Sequence, residues 1–139
     1  MIRTLGICLL LATGAQAQDQ DVPDMAIIQT CSTAPIGSAL CDREKLSESL
    51  GLLAGSEVRD FGFAGMESFA MLTALRYSAS AIAFLDYDDP CAAEENRYAA
   101  VDIWDLWVKL PEDAPDTVKE RYEMYNGIIE NIRNMEIDC

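Results

Sequence analysis

Apolar positions along this chain recur with a helical period, and hardly any stretch alternates at period two. Val118, Tyr122, Tyr125, Ile129 and Ile132 form one stripe, with Glu120, Glu123 and Glu130 on the other side, which predicts an amphipathic helix. Asp113-Ala114-Pro115 reads as its start signal. Leu46, Leu50 and Leu53 predict a second helix over about Asp42 to Ala54, with Asp42 as N-cap and Gly55 as stop. The block from about Gly65 to Leu85 is apolar all round, through Met66, Phe69, Leu72, Leu75, Tyr77, Ile82 and Phe84. That pattern predicts the buried central helix, with a start as early as Ser56 and a break at Gly62. Asp89-Pro90 supplies a cap followed by proline at the first helical position, and the helix behind it is expected to reach about Lys109, ahead of Pro111. Met25 to Thr30 predicts a short helix behind an Asp24 cap, and Ser32 to Leu40, with Pro35 and Gly37, a loop.

Four long helices with short connections favour antiparallel neighbours. The expected fold is all-α, a four-helix bundle-like single domain over residues 18–139, in which 18–41 is a loop and short-helix lead-in and 42–139 the bundle. Half the residues are apolar, enough for a modest core. Residues 1–17 stand apart. Met1-Ile2-Arg3 carries a positive charge, Thr4 to Gly14 is apolar, and Ala15-Gln16-Ala17 has the small-x-small pattern of a cleavage site. Together these predict a signal peptide cut after Ala17 and a periplasmic or secreted protein. The apolar run is shorter than the roughly 20 residues a membrane-spanning helix needs. No span is expected in the mature chain either, because Phe61 to Leu85 carries Glu67 and Arg76.

Export changes the meaning of the cysteines. Cys31, Cys41, Cys91 and Cys139 remain after cleavage, and an even count in an oxidising space predicts two disulfides. Four thiolates on zinc would need closer pairs than these spacings offer. An up-down bundle gathers all four sulfurs at one end. Cys31–Cys41 with Cys91–Cys139 is the favoured pairing, and Cys31–Cys91 with Cys41–Cys139 the alternative, because the geometry separates them poorly.

Charge and missing residue types narrow the chemistry. The net charge is −14, or −15 once Arg3 is lost, which argues against nucleic acid and anionic lipid as partners. There is no histidine, so Ser-His-Asp and Cys-His catalysis and histidine-ligated metals are excluded. No cofactor, metal site or catalytic residue is expected. An EF-hand loop beginning at Asp86 fails, with Pro90, Cys91 and Arg97 where an oxygen ligand, a glycine and a glutamate belong.

The candidate surface is the helix after Pro90. Glu94, Tyr98, Asp102 and Asp105 share a face about 100° wide at 3.6 residues per turn, and Glu95 flanks them. An acidic strip around one tyrosine suits docking of a basic protein partner; a merely solvated face is the alternative. Trp104 and Trp107, on the other side, are expected in the core. Glu67 and Arg76 are each expected to satisfy a polar group on another helix.

The cysteine layout resembles that of periplasmic immunity proteins against type VI secretion amidase effectors. The residues concerned are the early pair Cys31 and Cys41, Pro90-Cys91 ahead of a helix, and terminal Cys139. The likeness is one of spacing, the Cys41-to-Cys91 stretch is longer here, and no functional residue is carried over. It implies a non-catalytic inhibitor that plugs a toxic enzyme. The functional expectation is therefore an exported protein-binding module or inhibitor acting on another periplasmic protein. An envelope chaperone triggered by acid, using the apolar central helix, is the first alternative and a carboxylate-dependent hydrolase the second. The oligomeric state is left open.

Overall fold

The structure, a computed structural model, describes residues 22–55 and 65–139. The predicted leader, its cut after Ala17 and the early helix start between Ser56 and Gly62 lie outside the described residues. Five helices follow in order: α1 (Met25–Cys31), α2 (Arg43–Gly55), α3 (Gly65–Asp86), α4 (Pro90–Trp107) and α5 (Asp116–Arg133), with no strand among the described residues. The fold class is all-α, as expected.

Local chemistry explains most helix starts. The Asp24 carboxylate accepts from the backbone N–H groups of Ala26 and Ile27, Asp42 from that of Lys45, and Asp89 from that of Ala92. Pro90 occupies the first turn of α4, where its missing N–H costs nothing. Between α3 and α4, Asp88 takes the left-handed conformation (φ 59°), which a short polar side chain tolerates. Two boundaries differ from expectation. Helix α4 ends at Trp107, with Val108 already extended. Helix α5 does not use Asp113 as a cap: Pro115 holds the cap position with no side-chain bond, and its carbonyl accepts from Val118 and Lys119. Asp116 then places its charge in the first turn, where the helix dipole favours it.

One core joins all five helices. It includes Ile28 of α1, Leu46 and Leu50 of α2, Met71, Leu75 and Ile82 of α3, Trp104 of α4, and Tyr125, Ile128, Ile129 and Ile132 of α5. Helix α3 packs along α4 on one side and α2 on the other, and also meets α5. Buried Ala70, Ala74 and Ala81 on α3 and Ala93 and Ala100 on α4 are small side chains that let packed helices approach closely. Helix α1 packs on both α2 and α5, which do not pack on each other among the described residues. The short helix thus fills a gap in the core, and Ile28, Cys31 and Cys41 are fully buried.

The expectation that α3 is buried on every side is corrected. Phe69 is 68% exposed and Tyr77 38%, because the neighbours cover only part of its circumference. Glu67–Asp86 is nevertheless long and apolar enough to cross a membrane, at a mean hydropathy of 1.3, although half of that window lies inside the fold. A core helix meets the same criteria.

The bridges are Cys31–Cys41 and Cys91–Cys139, the favoured pairing. They suit an oxidising, exported environment. Both lie toward one pole. There Arg43 Nε reaches Asp86 Oδ1 at 2.7 Å, tying the start of α2 to the end of α3. A cleft of about 430 Å³ at this pole is lined by Pro35, Ile36, Arg43, Leu85, Met135 and Glu136, among others.

Candidate functional site

The α4 face begins with the Asp89 cap and is crosslinked at its first turn through Cys91. Along it the structure sets Glu95, Tyr98, Asp102 and Asp105 in exposed positions and leaves Glu94 half-buried. All five residues of the expected strip lie on α4, but their charges are not equivalent.

Two of the carboxylates are matched by arginines. Glu94 Oε1 pairs with Arg97 Nη2, three residues on, while Glu94 Oε2 is buried with no hydrogen-bond partner. Arg97 also donates from Nη1 to the Met135 carbonyl at 2.5 Å, and its guanidinium lies over the Tyr98 ring, 5.5 Å from the centroid. Farther along, Asp105 accepts two bonds from Arg133, at 3.1 and 2.8 Å, in a forked pair. Arg133 Nε reaches Glu130 Oε1 at 3.3 Å. The hydrogen bond to Asp105 raises the Arg133 pKa above its ordinary value, against desolvation, which lowers it.

The site is therefore less acidic than the strip alone predicts. Among the described residues neither Glu95 nor Asp102 enters an ion pair, and they flank Tyr98, which is 59% exposed. Sequence reasoning missed both arginines. The Glu94–Arg97 spacing of three is a helix-pair signal that could have revealed the first. Arg133 arrives from α5, 28 positions from Asp105, and has no local signal.

The tryptophans divide. Trp104 is buried, stacks on Tyr122 with ring centroids 5.6 Å apart, and donates from Nε1 to Asn126 Oδ1 at 3.0 Å. Trp107 is 55% exposed, beside Leu106 at 70%, which corrects its expected place in the core. It is the last residue of α4, where the backbone already turns away toward extended Val108. Arg76 donates to the Ala54 carbonyl in the last turn of α2, at 3.4 Å, as expected of a polar group serving another helix. Glu67 is half-buried in the first turn of α3.

Elsewhere, an open groove of about 950 Å³ at the disulfide pole is lined by Asp42, Arg43, Glu44, Glu48, Asp86 and Tyr87, among others. Its acids are partly engaged locally: Asp86 holds Arg43, and Asp42 accepts from the Lys45 N–H. Among the described residues no group of three carboxylates or cysteines is placed to hold a metal ion. The chain matches no family model, no curated protein and no solved structure. An exposed tyrosine between two carboxylates on a braced helix is chemically suited to receive cationic side chains.

Proposed function

We propose that this protein is an exported, non-catalytic binding module or inhibitor, and that the outer face of α4 docks a basic surface of another periplasmic protein. One observation carries the reading: Tyr98 stands exposed between Glu95 and Asp102 on a helix braced at several points. The bracing contacts are the Asp89 cap, the Cys91–Cys139 bridge, the Arg97 contact with Met135 and the Arg133 fork on Asp105. In this reading the four long helices form a bundle-like frame behind a face ordered before the partner arrives. Rigid presentation lowers the entropy cost of binding, the aromatic anchors, and the carboxylates steer encounter. The cysteine-layout resemblance to periplasmic immunity proteins points the same way.

Affinity capture from the native periplasm tests it. The wild-type chain is expected to retain one stoichiometric partner. Glu95→Lys with Asp102→Lys should weaken that capture by about tenfold or more, and rising salt should do likewise, as for an electrostatically steered interface. Capture unaffected by the reversal removes α4 from the reading.

A second reading has its own support. Residues 68–85 carry no carboxylate, and Phe69 and Tyr77 lie open on this stretch. An acid-triggered chaperone would use such a surface. It should bind hydrophobic dyes and suppress aggregation in acid while doing little at neutral pH.

A further inference from the structure

The two disulfides lie in opposite environments. Cys31 and Cys41 are fully buried in the core. Cys91 and Cys139 are both exposed, at the first turn of α4 and beyond the end of α5. The exposed bridge closes a separation of 48 residues and tethers segment 134–139 to α4. That segment has few other anchors. Arg97 Nη1 holds the Met135 carbonyl at 2.5 Å, and Met135 packs against the core from a partly buried position. Ile137 is half-buried, and Asn134, Glu136 and Asp138 are exposed. Beneath the segment lies the Glu94–Arg97 pair, whose side chains are 19% and 15% exposed. Glu94 Oε2 has no partner there, so hydration of this pair would relieve an unmet polar atom. Met135 and Glu136 also line the 430 Å³ cleft, together with Pro35, Ile36 and Leu85.

The geometry points to Cys91–Cys139 as a thiol-exchange site for a dithiol reductant, whose reduction releases segment 134–139 and opens the cleft while Cys31–Cys41 keeps the core crosslinked. The reaction is ordinary thiol–disulfide exchange. A thiolate of the dithiol bonds to one of the two sulfurs. The S–S bond breaks, and its electron pair leaves on the other sulfur, which takes up a proton. The second thiol of the reductant, as its thiolate, then attacks the reductant's first sulfur in the mixed disulfide; that S–S bond breaks, and the protein sulfur leaves with its electron pair and takes up a proton. The protein gains two electrons and two protons, and the reductant becomes a disulfide. Access decides the selectivity, because a thiolate must reach sulfur along the S–S axis and the core pair offers no approach without opening the fold.

The test uses the full oxidised chain without denaturant, titrated with dithiothreitol. Free thiols are trapped by alkylation and located by peptide mass spectrometry. Cys91 and Cys139 should alkylate at reductant concentrations about tenfold or more below those needed for Cys31 and Cys41. At the intermediate stage, amide exchange should rise in 134–139 and on Leu85, with α1 and α2 still protected. The double variant Cys91→Ser with Cys139→Ser should fold and show the same exchange pattern without reductant. Arg97→Gln, which removes one of the remaining anchors, should speed reduction of the exposed bridge. Reduction of both bridges together, or of Cys31–Cys41 first, overturns the proposal. So does a reduced Cys91–Cys139 pair, or the double serine variant, with 134–139 still protected.

Discussion

Tyr125 shows how one residue can impose a pH limit. It is 2% exposed in the core, and burial raises its phenol pKa above the ordinary 10.0, with nearby Arg121 pulling weakly the other way. The folded state then favours the protonated phenol more than the unfolded state does. Its contribution to stability is complete below about pH 10 and is lost as pH rises through the higher folded value. Denaturant unfolding at pH 9 and pH 11 should show this loss in the wild type, and Tyr125→Phe should flatten the difference. Gly127 is a second sensitive position. A Cβ there would collide with the Ser32 carbonyl oxygen, so α5 crosses the end of α1 only because the position lacks a side chain. Gly127→Ala is expected to destabilise by about 1–3 kcal/mol through overpacking. An unchanged melting temperature would show that the two helices part freely.

Among the elements, α1 depends most on its neighbours. Seven residues are too few to sustain a helix alone. Its first turn is capped by Asp24, and at its C-terminal end Asn131 of α5 donates from Nδ2 to the carbonyls of Cys31, the last helical residue (2.6 Å), and of Ala34 beyond it (3.0 Å). Asn131→Ala should cost about 1–3 kcal/mol, since both carbonyls lose a donor at a partly buried site. Thermal unfolding of the variant checks this. The Arg133–Asp105 fork on α4 and α5 is better formed geometrically but more exposed, with side chains 37% and 49% accessible. Solvent screening limits it to about 1 kcal/mol or less. Asp105→Asn should therefore leave the melting temperature almost unchanged, and a large drop would mean that the pair is structural.

For the whole molecule, the bridges and the net charge set the terms. Cys31–Cys41 spans 10 positions and lies in the core that joins α1 to the rest. Cys31→Ala with Cys41→Ala should cost at least the roughly 2–4 kcal/mol typical of a lost bridge, with further loss where the sulfurs leave space. Chemical denaturation measures it. A charge of −14 on 139 residues favours separation of copies and repels anionic partners, so the proposed docking calls for a cationic surface on the partner. On α4 the exposed residues outside any ion pair among the described residues include Tyr98, Glu95 and Asp102, and the proposed docking rests on these three. Reversing Glu95 and Asp102 should change partner capture while leaving the fold's melting temperature within a few degrees, a contrast that calorimetry and pull-down together can read.

The sequence by itself determined what local physics controls. Period and capping chemistry located the helices, because an apolar stripe and an aspartate before the first turn act within a few residues of chain. Asp24, Asp42 and Asp89 all perform the expected duty, whereas Asp113 is displaced by Pro115, which occupies the cap position with a suitable backbone of its own. Bridge partners were favoured from helix order but were separated only when the packed helices brought specific cysteines together. Tertiary structure alone decided that α1 stands between α2 and α5, that Phe69, Tyr77 and Trp107 face outward, and that Arg133 reaches Asp105. Those outcomes depend on how much of each helix its neighbours cover and on pairs far apart in the chain, and neither quantity is written in any short window of residues.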